Sequence, residues 1–455
     1  MLRESCPRTP VRRFSRTDAV TVLGLTLLTI TAFWRTIHWY FLSDDFVLLK
    51  HARSVLDALR PLFTAGGGDG FFRPIGYVSL AFTSAWAGVS PVLWHATALG
   101  LHIINTVLVY LLAVRLGRSR MAAIFAAILF AIHGTRPEAV VWIAGRFDLL
   151  STFFVLCGLL FFMRSQNELP AMGSVYGFAS LACMILAILT KESAYVFPFL
   201  LVLLLVSRRC WSRARLATLI PFYVVAATLF AYRWVLFGRI GGYRDIQTGA
   251  PQALTLGVVH TLKALALRTW AILWFPINWS REPDKVLAVL AVAYILSLAW
   301  LAAVRTDRAE FLYALAFVLI SVLPPLHLLL IGPDLGKSRL LYLPSVGFCL
   351  MLSLAIDSLR GRVRYLIPGL ILSFHFAVLQ HNLNLWEYAS EKAKTVSATA
   401  GKCTGSVTGL PGVLQGVPFF ANGFREALEL QQGSGAAGSC VLVWDEAKDE
   451  LHPVK

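Results

Sequence analysis

Long apolar runs, each closed at one end by a short basic cluster, fill most of the chain. The first covers roughly 19–41 and follows a leader that holds Arg3, Arg8, Arg12, Arg13 and Arg16. It is long enough to cross a ~30 Å hydrocarbon core, and no small-residue cleavage site closes a short apolar stretch. It therefore reads as a signal anchor with its N-terminus inside. Further runs cover 95–116, 121–132, 149–163, 175–190, 195–206, 216–237, 286–304, 311–331, 340–359 and 365–379. Basic clusters near Arg118, Arg164, Arg208, Arg305 and Arg362 fall at alternate ends of these runs, which orients them by the positive-inside rule. The stretch 256–275 is also apolar, but it carries His260, Lys263 and Arg268. Ionisable groups inside a span are expensive, so it reads as an amphipathic helix on the outer surface. The pattern predicts an all-α polytopic membrane protein of about eleven transmembrane helices.

Three parts follow from this pattern: a basic cytoplasmic leader over 1–18, a membrane domain over 19–384, and a small outer domain over 385–455. The last part is polar, with loop signals at Gly409–Gly416 and Gly433–Gly438, and short strand-like pieces such as Cys440–Trp444 give it mixed or β character. A further outer loop, 43–93, contains a glycine-rich turn at Gly66–Gly70.

Composition sharpens the class. Of 455 residues, 57% are apolar and 15% charged, against about 25% charged in ordinary globular chains. Mean hydropathy is +0.67. A soluble enzyme, a disordered chain and a coiled coil are all excluded. Lys and Arg total 41 and Asp and Glu 25, a net charge of +16. The basic groups are scattered between apolar runs and build no single face, so the excess speaks for membrane topology and against a nucleic-acid partner. Of seven cysteines, only Cys403 and Cys440 fall in the outer tail, where they are either a disulfide or two unrelated small side chains. No Cys/His spacing matches a zinc site, and no cofactor or metal is expected.

Candidate chemistry gathers on the outer side. Asp44 and Asp45 follow the first span beside Trp39, Tyr40 and Phe41. Such a carboxylate suits a general base acting on a hydroxyl; the alternative is an exposed acid pair at a membrane boundary. The run from His133 to Asp148 places Arg136, Glu138, Arg146 and Asp148 between two short apolar segments. Charges at that depth are functional or paired with one another. Lys191-Glu192, Lys337-Ser338-Arg339 and Arg73 put cations on the outer face, against the general trend. They read either as phosphate ligands or as interfacial side chains reaching for water.

Together these segments carry a family resemblance. Asp44-Asp45, Phe72-Arg73-Pro74-Ile75, the run His133–Leu150, Thr190-Lys191-Glu192 and Arg339–Ser345 resemble, in the same order, the transmembrane O-mannosyltransferases that carry tetratricopeptide repeats, and their bacterial relatives. These belong to the GT-C superfamily of polytopic glycosyltransferases. The resemblance covers roughly 17–385. It implies transfer of a sugar, mannose or another hexose, from a polyprenyl-phosphate donor to a protein, glycan or lipid acceptor on the outer face, usually with inversion. It also implies residue roles. Asp44 or Asp45 is the base, and the first member of the pair is the family's usual choice. Arg146, Lys191 and Arg339 hold the donor phosphate, and Arg73, His133, Glu138, Asp148, Glu192 and Tyr342 orient substrate. Where the family reads His-Pro-x-His-x-Glu, this chain reads His133-Gly134-Thr135-Arg136-Pro137-Glu138, and Ser338 stands where an acid usually precedes the arginine. No repeat domain is present, which suggests a bacterial plasma membrane protein with a cytoplasmic N-terminus and an outer C-terminal domain. A transporter or flippase of anionic lipid, and a non-catalytic membrane scaffold, are the readings from other classes.

Overall fold

A computed structural model describes residues 15–52, 54–60, 71–167, 173–208, 212–238, 268–280, 308–326, 334–402, 406–431 and 441–453, with Cys210 and isolated positions within 257–299. Helix α1 (Arg16–Phe33) begins at a reciprocal cap, in which the Ser15 hydroxyl accepts from the Asp18 amide and the Asp18 carboxylate accepts from the Ser15 amide. After a 3-10 turn come three short helices, α2 (Asp44–His51), α3 (Val55–Leu59) and α4 (Pro74–Ala87). The core helices follow: α5 (Pro91–Arg115), α6 (Arg120–Ile132), the one-turn α7 (Arg136–Val140) and α8 (Arg146–Ser165). Next are α9 (Val175–Thr190), α10 (Phe197–Ser207), α11 (Arg213–Ala217), α12 (Ile220–Phe237) and α13 (Thr269–Trp274). The last long elements are α14 (Arg308–Val322), α15 (Pro344–Ser358) and α16 (Val363–Gly401).

Local sequence explains the boundaries. Proline occupies the first turn of α4, α5, α10, α12 and α15, where its missing amide hydrogen leaves no bond unmade. Serine hydroxyls cap α6 and α9 through the amides of Ala122 and Gly177. The centre of the bundle is α5, α6, α8 and α15, whose Tyr110, Leu129, Phe130, Leu159 and Phe348 are fully enclosed. By contrast α12 and α16 carry Val224, Val235, Leu366 and Leu370 at 57–78% exposure. Continuous apolar surface of this kind suits lipid rather than water.

By length and composition, five helical stretches among the described residues are able to cross a membrane: Arg16–His38, Pro91–Arg115, Ile143–Ser165, Arg213–Phe237 and Val363–Gly401. Four shorter apolar helices lie between them. The chain is thus a mostly helical integral membrane protein. Length and composition support five crossing helices among the described residues and do not confirm the eleven of the hydrophobic pattern, of which 286–304 lies largely outside the described residues.

Three other expectations change. The outer loop 43–93 holds the helices α2 to α4, because Pro74 starts a 14-residue apolar segment. The described end of 256–275 is not a surface helix: Thr269, Ala271, Ile272 and Leu273 are buried, and Arg268 donates to the Asp334 carbonyl at 3.1 Å. Finally, α16 runs unbroken across the boundary placed at 384, with Pro368 in its first turns.

Beyond α16 lie β1 (Val407–Thr408), β2 (Val413–Leu414), β3 (Val417–Pro418), α17 (Phe424–Gln431), β4 (Leu442–Asp445) and β5 (Glu450–Pro453). Strand β4 is central, parallel to β1 with Val407 opposite Leu442 and antiparallel to β5 with Val443 opposite His452, while β2 and β3 form a hairpin. The expected strands are therefore present. Cys403, Cys440 and the glycine-rich turns at 66–70 and 433–438 lie outside the described residues. This small unit folds back onto the bundle: α17 packs on α2 and α16, and Phe420 stacks on Phe46 with ring centroids 5.9 Å apart.

Candidate functional site

A cavity of about 970 Å³ opens at the end of the bundle where α9 stops and α10 starts. Asp44, Arg73, Lys191, Glu192 and Arg339 line it, five of the residues singled out by sequence. On its apolar side stand Phe147, Phe199, Tyr223 and Phe230.

The two adjacent acids part company at the first turn of α2. Asp45 turns inward and is 1% exposed, accepting from the amides of Leu42 at 3.1 Å and Ala144 at 3.2 Å. Burial pushes its pKa well up, opposed by those two amides. Its place is a tie between the acidic loop and the His133–Asp148 hairpin, reinforced by the Trp142 indole donating to the Leu42 carbonyl at 3.1 Å. Asp44 turns the other way, into the cavity, and accepts from the Asn422 side-chain amide at 2.7 Å.

The turn that makes this split is unusual. Ser43 sits at φ 47°, a left-handed conformation that costs a non-glycine residue on the order of 1–3 kcal/mol. Contacts from the tail hold it there: the Ser43 amide donates to the Phe419 carbonyl at 2.8 Å, and the Asn422 amide donates to the Ser43 hydroxyl at 3.3 Å.

Three of the cavity's cations, Lys191, Arg73 and Arg339, each have a carboxylate partner. Lys191 donates to both oxygens of Asp148, at 2.5 and 2.6 Å, and both side chains are over nine-tenths buried. Arg73 grips Glu192 through Nε at 2.9 Å and through Nη2, and lies over the rings of Phe71 and Phe147. Arg339 lies 4.2 Å above the Trp142 ring and donates to Glu138 at 2.8 Å.

Glu138 does more than pair with that arginine. It also accepts from the amides of Lys337 and Arg339 and from the Ser338 hydroxyl, all within 3.0 Å. One carboxylate thereby fixes a turn whose Lys337 has φ 69°. Glu138→Ala is expected to cost about 3 kcal/mol by leaving three donors unmatched and Arg339 with only the Asp148 carboxylate, 3.9 Å away. A fall in the thermal midpoint of the detergent-solubilised protein, larger than for Glu138→Gln, checks it.

Three expected site residues lie elsewhere. Arg146 points away from the cavity, donating to Thr83 Oγ1 at 2.5 Å, to Thr97 Oγ1 and to the Trp94 carbonyl. Gly145 just before it allows the hairpin to close, since a Cβ there would lie 2.4 Å from the Ala139 carbonyl oxygen. Arg146→Ala is expected to lower stability by about 2 kcal/mol while leaving affinity for an anionic ligand within about threefold. Thermal unfolding and phosphate binding, measured together, separate the two effects.

His133 is enclosed. Its Nε2 donates to the Leu273 carbonyl at 2.9 Å, and its Nδ1 accepts from the Thr135 hydroxyl and amide, which fixes a neutral tautomer. The His375 ring lies against it at 4.6 Å. Tyr342 is also in the core, donating to His102 Nδ1 at 2.7 Å, with Arg136 4.7 Å from its ring centre.

Three cavity residues carry no mark in the sequence reading. Asn422 comes from the tail. Arg233 is in α12 and Tyr195 in the turn before α10. For Arg233 a signal was available: it is an ionisable residue inside a 25-residue apolar helix. Among the described residues no three His, Cys, Asp or Glu side chains gather as a metal site requires.

Similarity to known proteins points one way. The chain is 30% identical to protein O-mannosyl-transferase Tmtc1 of Drosophila melanogaster over 194 residues, 40% of this chain and 22% of that protein. It is 24% identical to human protein O-mannosyl-transferase TMTC4 over 328 residues, 61% of this chain and 44% of the relative. Human TMTC3 is 20% identical over 374 residues, 72% and 40% of the two chains. The matches thus span less than half the length of each of these curated relatives. No protein-family model matches the chain. Each of these relatives is a protein O-mannosyl-transferase, in keeping with the motif resemblance.

Proposed function

We propose that this protein is a membrane glycosyltransferase that moves mannose or another hexose from a polyprenyl-phosphate donor to an acceptor hydroxyl, with inversion. One observation carries the reading: Asp44 lines the same cavity as Arg73, Lys191 and Arg339. A base and a set of cations across one space are what an in-line displacement needs. Asp44 takes the proton of the acceptor hydroxyl as its oxygen attacks the anomeric carbon. The bond from that carbon to the phosphate oxygen breaks, and its electron pair leaves with the lipid phosphate. The cations stabilise the charge that grows there.

Asp148, Glu138 and Glu192 keep Lys191, Arg339 and Arg73 in place, and Lys191 and Arg339 retain donor hydrogens that a phosphate oxygen can use. Asp45 and Arg146 support the loop and the start of α8 rather than touching substrate. Basic clusters at the opposite ends of the spans favour a cavity on the outer face of the membrane, an inside N-terminus and an outer tail. A protein hydroxyl is the leading acceptor, given the names of the relatives.

The test is a transfer assay on protein in lipid nanodiscs, with radiolabelled polyprenyl-phosphate mannose and glucose and a panel of hydroxyl acceptors. Release of free lipid phosphate by the parent protein is the expected result. A folded protein that consumes no donor would favour a non-catalytic lipid-binding role.

A further inference from the structure

One of the cavity's cations stands apart from its ion pairs. Arg73, Lys191 and Arg339 are matched by Glu192, Asp148 and Glu138. Lys337 faces Glu138 and Asp334 and is partly exposed to water. Arg233 differs from all four. It is 6% exposed, lines the cavity, and makes no hydrogen bond or ion pair among the described residues. The carboxylate whose field it shares is Glu192, both oxygens of which Arg73 already holds.

An arginine is not relieved of this by losing its proton, because its charge persists at any ordinary pH. A buried cation without a partner is costly, and a helix carries one at membrane depth where an anion compensates it. Beside it the Tyr195 hydroxyl is also buried and without a hydrogen-bond partner, within the field of both Arg233 and Glu192. A guanidinium and a phenol from two residues that line one cavity, with Arg233 Nε and the Tyr195 hydroxyl unsatisfied, are a donor set for a tetrahedral oxyanion.

The surroundings say how such an anion arrives. Phe199 on α10 and Tyr223 and Phe230 on α12 line the cavity and are at the same time 51%, 36% and 42% exposed on the apolar outside of the bundle. Between them Ala226 and Ala227 leave the wall of α12 low. The cavity is therefore open sideways through an aromatic rim, toward the lipid rather than only toward water.

We propose that Arg233, with Tyr195, is the anion clamp of this cavity, and that its ligand is the phosphate of a polyprenyl lipid entering between α10 and α12. The identity of the lipid rests on the glycosyl-transfer reading; the clamp itself does not. The paired cations then act later, on charge that develops during transfer, while Arg233 holds the charge the ground-state ligand already carries.

The experiment uses full-length protein in nanodiscs and measures binding of undecaprenyl phosphate and, separately, of inorganic phosphate. Arg233→Gln is expected to weaken undecaprenyl phosphate about 30-fold or more, Arg233→Lys to restore part of the loss, and Tyr195→Phe to cost about fivefold. Without ligand, Arg233→Gln should unfold no earlier than the parent, because it removes an uncompensated charge; a merely structural arginine would give the opposite result. Unchanged lipid binding in Arg233→Gln would overturn the clamp whatever the protein catalyses. Equal, Arg233-dependent affinity for inorganic phosphate would overturn the lipid as ligand. Arg233-dependent lipid binding by a parent that consumes no sugar donor would uphold the clamp and refute the transfer reading.

Discussion

Asp44→Asn is expected to lower the proposed sugar transfer about a thousandfold in turnover and to leave the protein as stable as the parent. The rate follows from the loss of the cavity's proton acceptor, since positioned general bases contribute about 10² to 10⁴. The stability follows from position: Asp44 is partly exposed and its described hydrogen bond is to Asn422, which an asparagine oxygen can still accept. Asp45→Asn behaves oppositely. Its carboxylate ties two backbone amides across two elements and does not line the cavity, so the variant loses stability before it loses turnover. Donor-hydrolysis and transfer rates beside thermal midpoints read both variants. Full activity in Asp44→Asn, or a larger catalytic loss in Asp45→Asn at equal stability, would reverse the assignment of the pair.

Gly423→Ala, far along the chain, should cost about a hundredfold in transfer. Gly423 has φ +79°, and a Cβ on it would lie 2.3 Å from the Ser43 carbonyl oxygen and 3.1 Å from Phe46 Cβ. The backbone of Ser43 cannot yield without moving Asp44, and a displacement near 1 Å at a reacting group is worth about 10² in rate. Asn422→Ala is a gentler version. It removes the donor that holds one Asp44 carboxylate oxygen in place and should lower turnover about tenfold. Both variants should bind lipid phosphate as the parent does, since neither touches the α10–α12 side. If Gly423→Ala transferred sugar at the parent rate, the tail would be a bystander.

Much of the site could be read from the chain because its charges stand where a membrane helix should not put them. Asp44, Lys191, Glu192 and Arg339 each interrupt or end an apolar run, and the cost of such placement is visible without coordinates. The residue types in the His133–Asp148 hairpin were legible in the same way, but their partners were not. Glu138 pairs with Arg339, 201 positions away, rather than with Arg146, and Asp148 pairs with Lys191. Pairing is decided by how helices pack, and local sequence does not encode it. The contribution of the tail was invisible for the same reason: Asn422 meets Asp44 across 378 positions. The fold was legible in its helices and strands and less so in its lengths, since hydrophobic runs do not reveal that 74–87 is a helix outside the long spans or that Val363–Gly401 continues as one rod.

That tail contact also sets a schedule for biosynthesis. Ribosomes deliver Asp44 and most of the bundle long before they deliver Phe419 to Gly423, and until those residues dock Ser43 lacks the two tail contacts that hold its left-handed turn. The helices can insert and surround a complete set of cations while the base is still free to swing. A nascent or prematurely terminated chain would therefore be able to capture lipid phosphate yet be unable to spend it, so that only a fully translated molecule commits donor to product.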